Sequence, residues 1–287
     1  MLRIDPTAGK GEPGLAGSGV GLVGEFRLLQ AAHEAGVPVP RPFLENDDPE
    51  VLGGPFYIME RIEGETIPRR IFRSESLAGA RDRLPEQLGR ALARVHRIEL
   101  DRLDSSRLPA PRLGQTVPET QLLQIRAGFD ASPRPAPVLE LIYRWLEEHL
   151  PPETERTLVH GDFRIGNVIV GPEGLEAVLD WELAHIGDPH EDLAWMCTRT
   201  WRFGEVERPV GGIGALEPFH RAYQEESGRS IDPEALRFWS ALSSAKCAVV
   251  WIFQLRSYLS GVVPSVEQAT IGRRLAETEW DLLEILS

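Results

Sequence analysis

LVHGDFRIGNVIVGPEGLEAVLDWE, residues 158–182, is the most informative stretch of this chain. A short apolar run, Thr157-Leu158-Val159, gives way to a polar loop, His160-Gly161-Asp162-Phe163-Arg164-Ile165-Gly166-Asn167, and Val168-Ile169-Val170 then resumes strand character. Gly171-Pro172-Glu173-Gly174 is a turn, and Leu175 to Leu179 forms a second strand that ends at Asp180. The unit reads as a hairpin with Asp162, Asn167 and Asp180 in the loop or at strand ends. Three oxygen ligands or acceptors therefore converge.

Phosphoryl transfer from a nucleotide asks for such a set. One carboxylate orients an attacking hydroxyl and accepts its proton, while an amide oxygen and a second carboxylate hold Mg²⁺ against the phosphates. The spacing from His160 through Asp162 to Asn167 agrees with the protein-kinase catalytic loop, and Asp180 follows a short strand as the kinase Asp-Phe-Gly aspartate does. Here the two motifs are His160-Gly161-Asp162 and Asp180-Trp181-Glu182. In this form the chain resembles the aminoglycoside phosphotransferase (choline-kinase-like) family of small-molecule kinases. The segments Asp180-Trp181-Glu182-Leu183-Ala184, Gly187-Asp188-Pro189 and Asp192-Leu193-Ala194-Trp195 are most similar to the kinase-like domain fused to some acyl-CoA dehydrogenases and its free-standing bacterial relatives.

Other readings of the same residues exist. Asp162 and Asn167 also suit loop positions that satisfy backbone groups, but that reading gives Asp180 no place. His160 reads as a brace for the loop rather than an acid or base. Asp188 and Asp192 are expected to cap or anchor a helix opening near Pro189. His185, Asp188, His190, Glu191 and Asp192 form a transition-metal cluster on paper, yet their spacing matches no usual zinc pattern.

Outward from the hairpin, 287 residues at 42% hydrophobic allow one large or two small domains with a sizeable core. A net charge of −13, from 31 basic and 44 acidic residues, argues against nucleic acid or an anionic membrane as partner. Two cysteines, Cys197 and Cys247, form no disulfide framework and suit a reducing cytoplasm. No apolar run reaches membrane-spanning length and the first residues lack a signal peptide's apolar core. Abundant Arg, Pro and Ala with few Lys suits a high-GC bacterial gene.

Met1 to Asp5 resembles the end of the strand that carries the phosphate-contacting cation in kinases. The resemblance makes Arg3 that cation, a planar fork in place of the commoner lysine point charge. The family's small lobe has two earlier strands bearing the loop over the phosphates, so the expectation is either a start upstream or a truncated small lobe. Gly9-Lys10-Gly11 lies in a Gly/Pro/Ser connection that cannot be written as a phosphate-binding loop. A helix is expected from about Val23 to Ala35, with Phe26, Leu29 and His33 on one face and Gly36 as its stop. Glu25, by resemblance, pairs with Arg3 and holds it toward the phosphates; an exposed helix carboxylate is the alternative.

Val37 to Pro42 is extended because each proline disfavours helix before it. Phe56-Tyr57-Ile58-Met59 reads as a buried strand, followed by the connector Glu60 to Gly64. In the family this connector is the hinge, where backbone groups of residues such as Glu60 and Ile62 meet the adenine. From Thr66 the pattern is helical apart from the hairpin, with one stripe at Leu88, Ala91, Leu92, Val95 and Ile98 and another at Leu139, Ile142, Tyr143 and Leu146. A proline-rich connection runs from Leu108 to Pro137 with a short helix near Glu119 to Phe129. Pro233 to Gly261 and Ser265 to Leu286 supply two further helices, with Trp239, Trp251 and Trp280 expected in the core. Arg199 and Arg202 are candidates for an anionic group of the acceptor, since the resemblance builds the acceptor pocket from these C-terminal segments.

Together these readings imply an α+β, protein-kinase-like two-lobe fold: residues 1–62 a truncated β lobe and hinge, residues 63–287 a mostly helical lobe carrying the catalytic hairpin. The implied activity is phosphorylation of a hydroxyl on a small molecule, with ATP and Mg²⁺ as cofactors. Asp162 is the catalytic residue, Asn167 and Asp180 the metal ligands, and Arg3, Glu25, Glu60 and Ile62 the nucleotide contacts. A hydroxylated acyl or organic-acid acceptor suits the resemblance better than an aminoglycoside. Two alternatives stand beside this: a pseudokinase or nucleotide-binding module without turnover, and a metal-dependent phosphohydrolase with water as acceptor.

Overall fold

The computed structural model describes residues 1–4, 19–104, 107–131, 135–153 and 155–286; Gly9-Lys10-Gly11 lies outside them. The small lobe comprises β1 (Leu2–Ile4), α1 (Gly21–Glu34), β2 (Pro42–Asn46), the single turn α2 (Pro49–Leu52) and β3 (Phe56–Met59). Its sheet runs β1-β3-β2, antiparallel throughout, with Arg3 opposite Tyr57. Phe56, Tyr57 and Met59 are buried and α1 packs on the sheet through Phe26, Leu28, Leu29 and Ala32. His33, expected on that face, is exposed, and Ala32 takes the inward position one residue earlier. The strand β2 was not legible because its first residue is the proline that ends an extended run.

The large lobe continues with α3 (Pro68–Arg73), α4 (Ala78–His96), α5 (Val117–Asp130), α6 (Pro137–Glu148), β4 (Thr157–Val159), β5 (Val168–Gly171), β6 (Gly174–Val178), β7 (His185–Gly187), α7 (Pro189–Cys197), α8 (Leu216–Ser227), α9 (Pro233–Leu259), α10 (Val266–Ile271) and α11 (Leu275–Leu286). Both expected stripes are buried: Leu88, Ala91, Leu92 and Val95 on α4 with Ile98 just beyond it, and Leu139, Ile142, Tyr143 and Leu146 on α6. Each such leucine stabilises the lobe by roughly 1.5–3 kcal/mol relative to exposure. Start signals act where the sequence places them. Thr116 and Glu119 form a reciprocal capping box on α5, Asp188 caps α7 before Pro189, and Asp232 caps α9 before Pro233.

β5 and β6 form the expected hairpin, but β4 pairs with β7, a strand of three residues beyond Asp180. The loop from His160 to Asn167 thus leaves one two-stranded ladder and enters another. The segment Ser265 to Leu286 is two helices joined by a short 3-10 turn at Gly272–Arg274, not one. Trp239 and Trp251 are core residues, whereas Trp280 is 62% exposed and donates to Glu284. By length and composition α9 could cross a membrane, but 67% of its apolar window is buried inside the chain. It packs against α7, α5, α6, α10 and α11, as the central helix of this lobe.

Candidate active site

The loop between β4 and β5 hangs from one buried carboxylate. Asp192, on α7, accepts the backbone N–H of His160 (2.7 Å) and of Gly161 (2.9 Å), and His96 from α4 meets it at 3.1 Å. Burial alone pushes its pKa up, but the hydrogen bonds from His96 and from the His160 backbone N–H outweigh this and hold it below the usual range. Asp192 is expected from the sequence to anchor a helix; it anchors the β4–β5 loop, while Asp188 caps α7. His160 accepts the Asp162 N–H on Nδ1 and donates from Nε2 to the Leu179 carbonyl. Complete burial holds it neutral, pKa lowered, so it braces the loop.

Gly161 adopts φ +79°, and a Cβ there would stand 2.4 Å from the Leu183 carbonyl oxygen. The left-handed turn and the close approach together require glycine. The loop ends with Asn167 bound into the hairpin, its N–H on the Arg164 carbonyl and its carbonyl taking the Leu179 N–H.

The Asp162 carboxylate receives four hydrogen bonds. Asn167 Nδ2 donates at 2.6 Å, Trp195 Nε1 at 2.8 Å, and Arg164 Nε donates to both oxygens at 3.0 Å. Arg164 is in turn stacked on Trp201, 4.6 Å from the ring centre, and its Nη1 lies over Gly166, where a Cβ would come within 2.2 Å of it. Neither Arg164 nor the two tryptophans carries a role in the sequence reading. A cation two residues after the aspartate was the available signal; the tryptophans reach Asp162 only through tertiary packing.

Across the hairpin, Arg3, Glu25, Tyr57, Asn167, Asp180 and Trp181 line a cavity of about 290 Å³. Arg3 meets Glu25 at 3.1 Å, Asp180 at 3.3 Å and Glu182 at 3.8 Å. Tyr57 donates to the other Glu25 oxygen at 2.9 Å. Burial raises Glu25 to about 7 against the lowering by Arg3 and Tyr57. Glu182 is also raised, by burial and by the charge of Asp180. Asp180 itself sits at φ 66°, a conformation that aspartate tolerates better than most residues and that turns its carboxylate into the cleft's charge cluster. Glu25, Asp180 and Glu182 are the grouping among the described residues whose ligand atoms lie close enough to share one cation.

The structure therefore brings Arg3, Glu25 and Asp180 together, and Asp162 and Asn167 together, with Asn167 in both groups. Glu60 and Ile62 lie on the connector after β3; the cavity's lining includes Met59 and Thr66 but neither of these. Glu60 exchanges contacts with the backbone of Arg41. Arg199 pairs with Asp281 (3.2 Å) and Glu284 (2.6 Å) and lines a separate cavity near α11. Arg202 donates to the carbonyls of Cys197 and Val206. The supposed transition-metal cluster separates into pairs, His185 with Glu191 and His190 with Asp188, while Asp192 serves the loop.

As for the chemistry of a bound cation, Asn167 has its side-chain nitrogen committed to Asp162, which leaves the amide oxygen for the cavity. That oxygen and the Asp180 carboxylate are the hard donors Mg²⁺ prefers. Arg3 meets Asp180 through Oδ1 alone.

A family model described as "Phosphotransferase enzyme family" matches residues 18–239. Acyl-CoA dehydrogenase family member 10 of Mus musculus is 33% identical over 278 residues, covering 90% of this chain and 25% of that protein. The chain spans about a quarter to a third of the length of the curated relatives it matches first. Among solved structures, a Ralstonia eutropha protein provisionally assigned as an aminoglycoside phosphotransferase superposes with a TM-score of 0.75 at 23% identity, over 99% of this chain and 85% of its own. The GDP complex of aminoglycoside 2'-phosphotransferase-IIIa gives 0.64 at 16% identity, over 93% and 84%. Likeness at these identities speaks for the protein-kinase-like fold.

Proposed function

This chain belongs to the phosphotransferase enzyme family, and from that premise we propose that it transfers the terminal phosphoryl group of Mg-ATP to a hydroxyl of a small molecule. The observation that carries the reading is the Asp162 carboxylate, fixed by Arg164, Asn167 and Trp195 beside a cleft that holds Arg3, Glu25 and Asp180. Mg-ATP supplies the phosphoryl group, whose bond to the ADP oxygen breaks as a bond to the acceptor oxygen forms. Asp162 orients the acceptor hydroxyl and takes its proton. Its four hydrogen bonds keep the carboxylate in one orientation, which is where a positioned base gains its effect. Asn167 and Asp180 hold the metal, and Arg3, steadied by Glu25, takes the donor phosphates once Asp180 lets go of it. In this reading residues 1–62 act as the small lobe and hinge, with Glu60 and Ile62 presenting backbone to the base, and residues 63–287 as the helical lobe.

The relatives' name, acyl-CoA dehydrogenase family, favours a hydroxylated acyl or organic-acid acceptor over an aminoglycoside. A polycation would call for a carboxylate-lined pocket. Two free thiols, Cys247 buried and Cys197 half-buried, both raised to about 12 by desolvation, suit a reducing compartment such as the cytoplasm.

Calorimetric titration of a non-hydrolysable ATP analogue, with and without Mg²⁺, tests the reading on the wild type and on Asp180→Ala. Metal-dependent binding that the variant loses is the expected result. A folded wild type that binds neither the ATP nor the GTP analogue overturns it and leaves a non-nucleotide module. Phosphate release at full rate without any acceptor would instead make the protein a phosphohydrolase.

A further inference from the structure

A carboxylate offers about four lone pairs, and four hydrogen bonds already arrive at Asp162. Oδ1 takes Trp195 Nε1 and Arg164 Nε, and Oδ2 takes Asn167 Nδ2 and the same Arg164 Nε. A substrate hydroxyl that is to give its proton to this carboxylate therefore finds no lone pair open. One donor has to leave first.

Two of the three donors are fixed. Asn167 is 6% exposed, and its Nδ2 also donates to the Asp162 backbone carbonyl at 3.0 Å. Its own backbone is bound to Arg164 on one side and Leu179 on the other. Trp195 is buried, and Lys246 from α9 stands over its ring with Nζ 4.8 Å from the centre. Glu191 meets that ammonium at 3.5 Å. Arg164 is different. It reaches Asp162 through a single N–H shared between two oxygens, and its side chain is 23% exposed. Among the described residues its Nη groups, which carry four further donors, meet no acceptor.

The surroundings of the guanidinium give it somewhere to go. It lies over Trp201, whose ring packs against Trp195 and Trp251, so the platform is held from behind. A ring face attracts a cation without the directionality of a hydrogen bond, and the cation shifts along it while keeping contact. Gly166 marks the path. It lines the cavity that holds Arg3 and Asp180, and its φ is not among the positive ones, so its backbone conformation does not call for glycine. What a Cβ there would meet is Arg164 itself, Nη1 at 2.2 Å and Cζ at 3.4 Å. The absent side chain keeps the way open between guanidinium and cavity. Inside, Arg3 is the cationic side chain of the lining among the described residues, and Glu25, Asp180 and Glu182 share it. A bound nucleoside triphosphate with its Mg²⁺ leaves negative charge that Arg3 alone does not cancel.

Resting on the kinase reading of Asp162 and this cavity, we propose that Arg164 is a displaceable stopper on the base and a second phosphate-binding cation. In the empty site it fills lone pairs of Asp162. With a nucleoside triphosphate and Mg²⁺ bound, it moves past Gly166 onto the terminal phosphate, and the lone pair it vacates takes the acceptor's hydroxyl. Asn167 and Trp195 meanwhile keep the carboxylate in place. The base is thus uncovered only beside the phosphoryl group it serves. A nucleoside diphosphate lacks the terminal phosphate and leaves Arg164 on Asp162.

Calorimetry with Mg-ADP and with the Mg complex of a non-hydrolysable ATP analogue compares the wild type with Arg164→Met and Arg164→Lys. The methionine variant is expected to lower the ratio of triphosphate to diphosphate affinity about ten-fold, with ADP affinity changed by no more than about two-fold. Arg164→Lys is expected to restore part of the ratio. A role confined to holding Asp162 leaves the ratio as it is. In protein labelled with nitrogen-15 arginine, the Arg164 Nε–H resonance is identified by its absence from Arg164→Lys. It is expected to move when the triphosphate analogue binds and to stay when ADP binds. Thermal melts followed by circular dichroism show whether each variant is folded, and where Arg164→Met is not, the wild-type resonance decides. An unchanged affinity ratio in folded Arg164→Met, or a resonance that the bound triphosphate analogue leaves in place, overturns the proposal. In either outcome, Mg-dependent nucleotide binding by the same wild type leaves the kinase reading standing. A folded wild type that binds neither nucleotide overturns both.

Discussion

His160, Gly161, Asp162 and Asn167 are held by buried partners that have no freedom to leave, whereas around Asp180 a single half-exposed guanidinium serves three carboxylates. On the first side the donors and acceptors are matched: Asp192 meets two backbone N–H groups and His96, which in turn meets Tyr223. On the second side the charges do not balance, with Glu25, Asp180 and Glu182 against Arg3. The first arrangement stores position and the second stores unsatisfied affinity for cations. A two-substrate phosphotransferase needs both, a base that does not move and a cleft whose carboxylates reorganise when Mg²⁺ and phosphates arrive.

The largest expected effect tests whether the fixed side does chemistry. Asp162→Asn should lower turnover by about 10³- to 10⁴-fold, roughly 4 to 5.5 kcal/mol of barrier. Nucleotide affinity, measured by calorimetry on the same protein, should change by no more than about three-fold. Turnover within about ten-fold of wild type would show that the rigid loop is scaffold rather than base.

Stability separates the two sides next. Asp192→Ala strands two buried backbone N–H groups and a buried histidine, and should cost roughly 3 kcal/mol or more in urea unfolding. Asp180→Ala should cost at most about 1 kcal/mol, because its ion pair with Arg3 is open to solvent. Comparable losses at both positions would erase the distinction between a locked loop and an exchangeable cleft.

These expectations also show which parts of the molecule the sequence could announce. The β5–β6 hairpin, the α4 and α6 stripes and the cap at Asp188 were legible because each depends on neighbours within a turn or a strand. The pairing of Arg3 with Glu25 came from resemblance, and the structure sets those two groups 3.1 Å apart. What stayed hidden depends on long-range placement. Three residues of mixed character, His185-Ile186-Gly187, become β7 only by pairing with β4. Lys246 looks like an interior helix residue until α9 lies against Trp195. Trp280 was read inward on hydrophobicity alone, yet α11 presents it to solvent.

Gly161 lies between these classes, because His-Gly-Asp was visible in the sequence while the reason for its glycine was not. Gly161→Ala places a methyl group 2.4 Å from the Leu183 carbonyl at a positive φ. The expected loss is roughly 2 kcal/mol in thermal or urea unfolding, from left-handed strain plus displacement of the segment at Leu183. A variant as stable as the wild type would mean that the loop yields easily, and the fixed side would lose its claim to rigidity.

The smallest effect belongs to the exchangeable side and is read through pH. Glu25 is raised to about 7, chiefly by burial, so the Arg3–Glu25 ion pair is fully charged only above that value. Nucleotide affinity should therefore rise about ten-fold between roughly pH 6 and pH 8 as Glu25 ionises and steadies Arg3. Stability should move the other way: the native state keeps a proton that the unfolded chain releases from about 4.5 upward, so folding weakens as pH climbs through that window to about 7. Glu25→Gln should flatten both limbs, and it supplies the baseline for the nucleotide's own terminal phosphate, which titrates nearby. If the variant keeps the wild-type slope in affinity, the cleft's response to pH comes from elsewhere and Glu25 is a buried structural acid, belonging with Asp192 on the fixed side of the comparison.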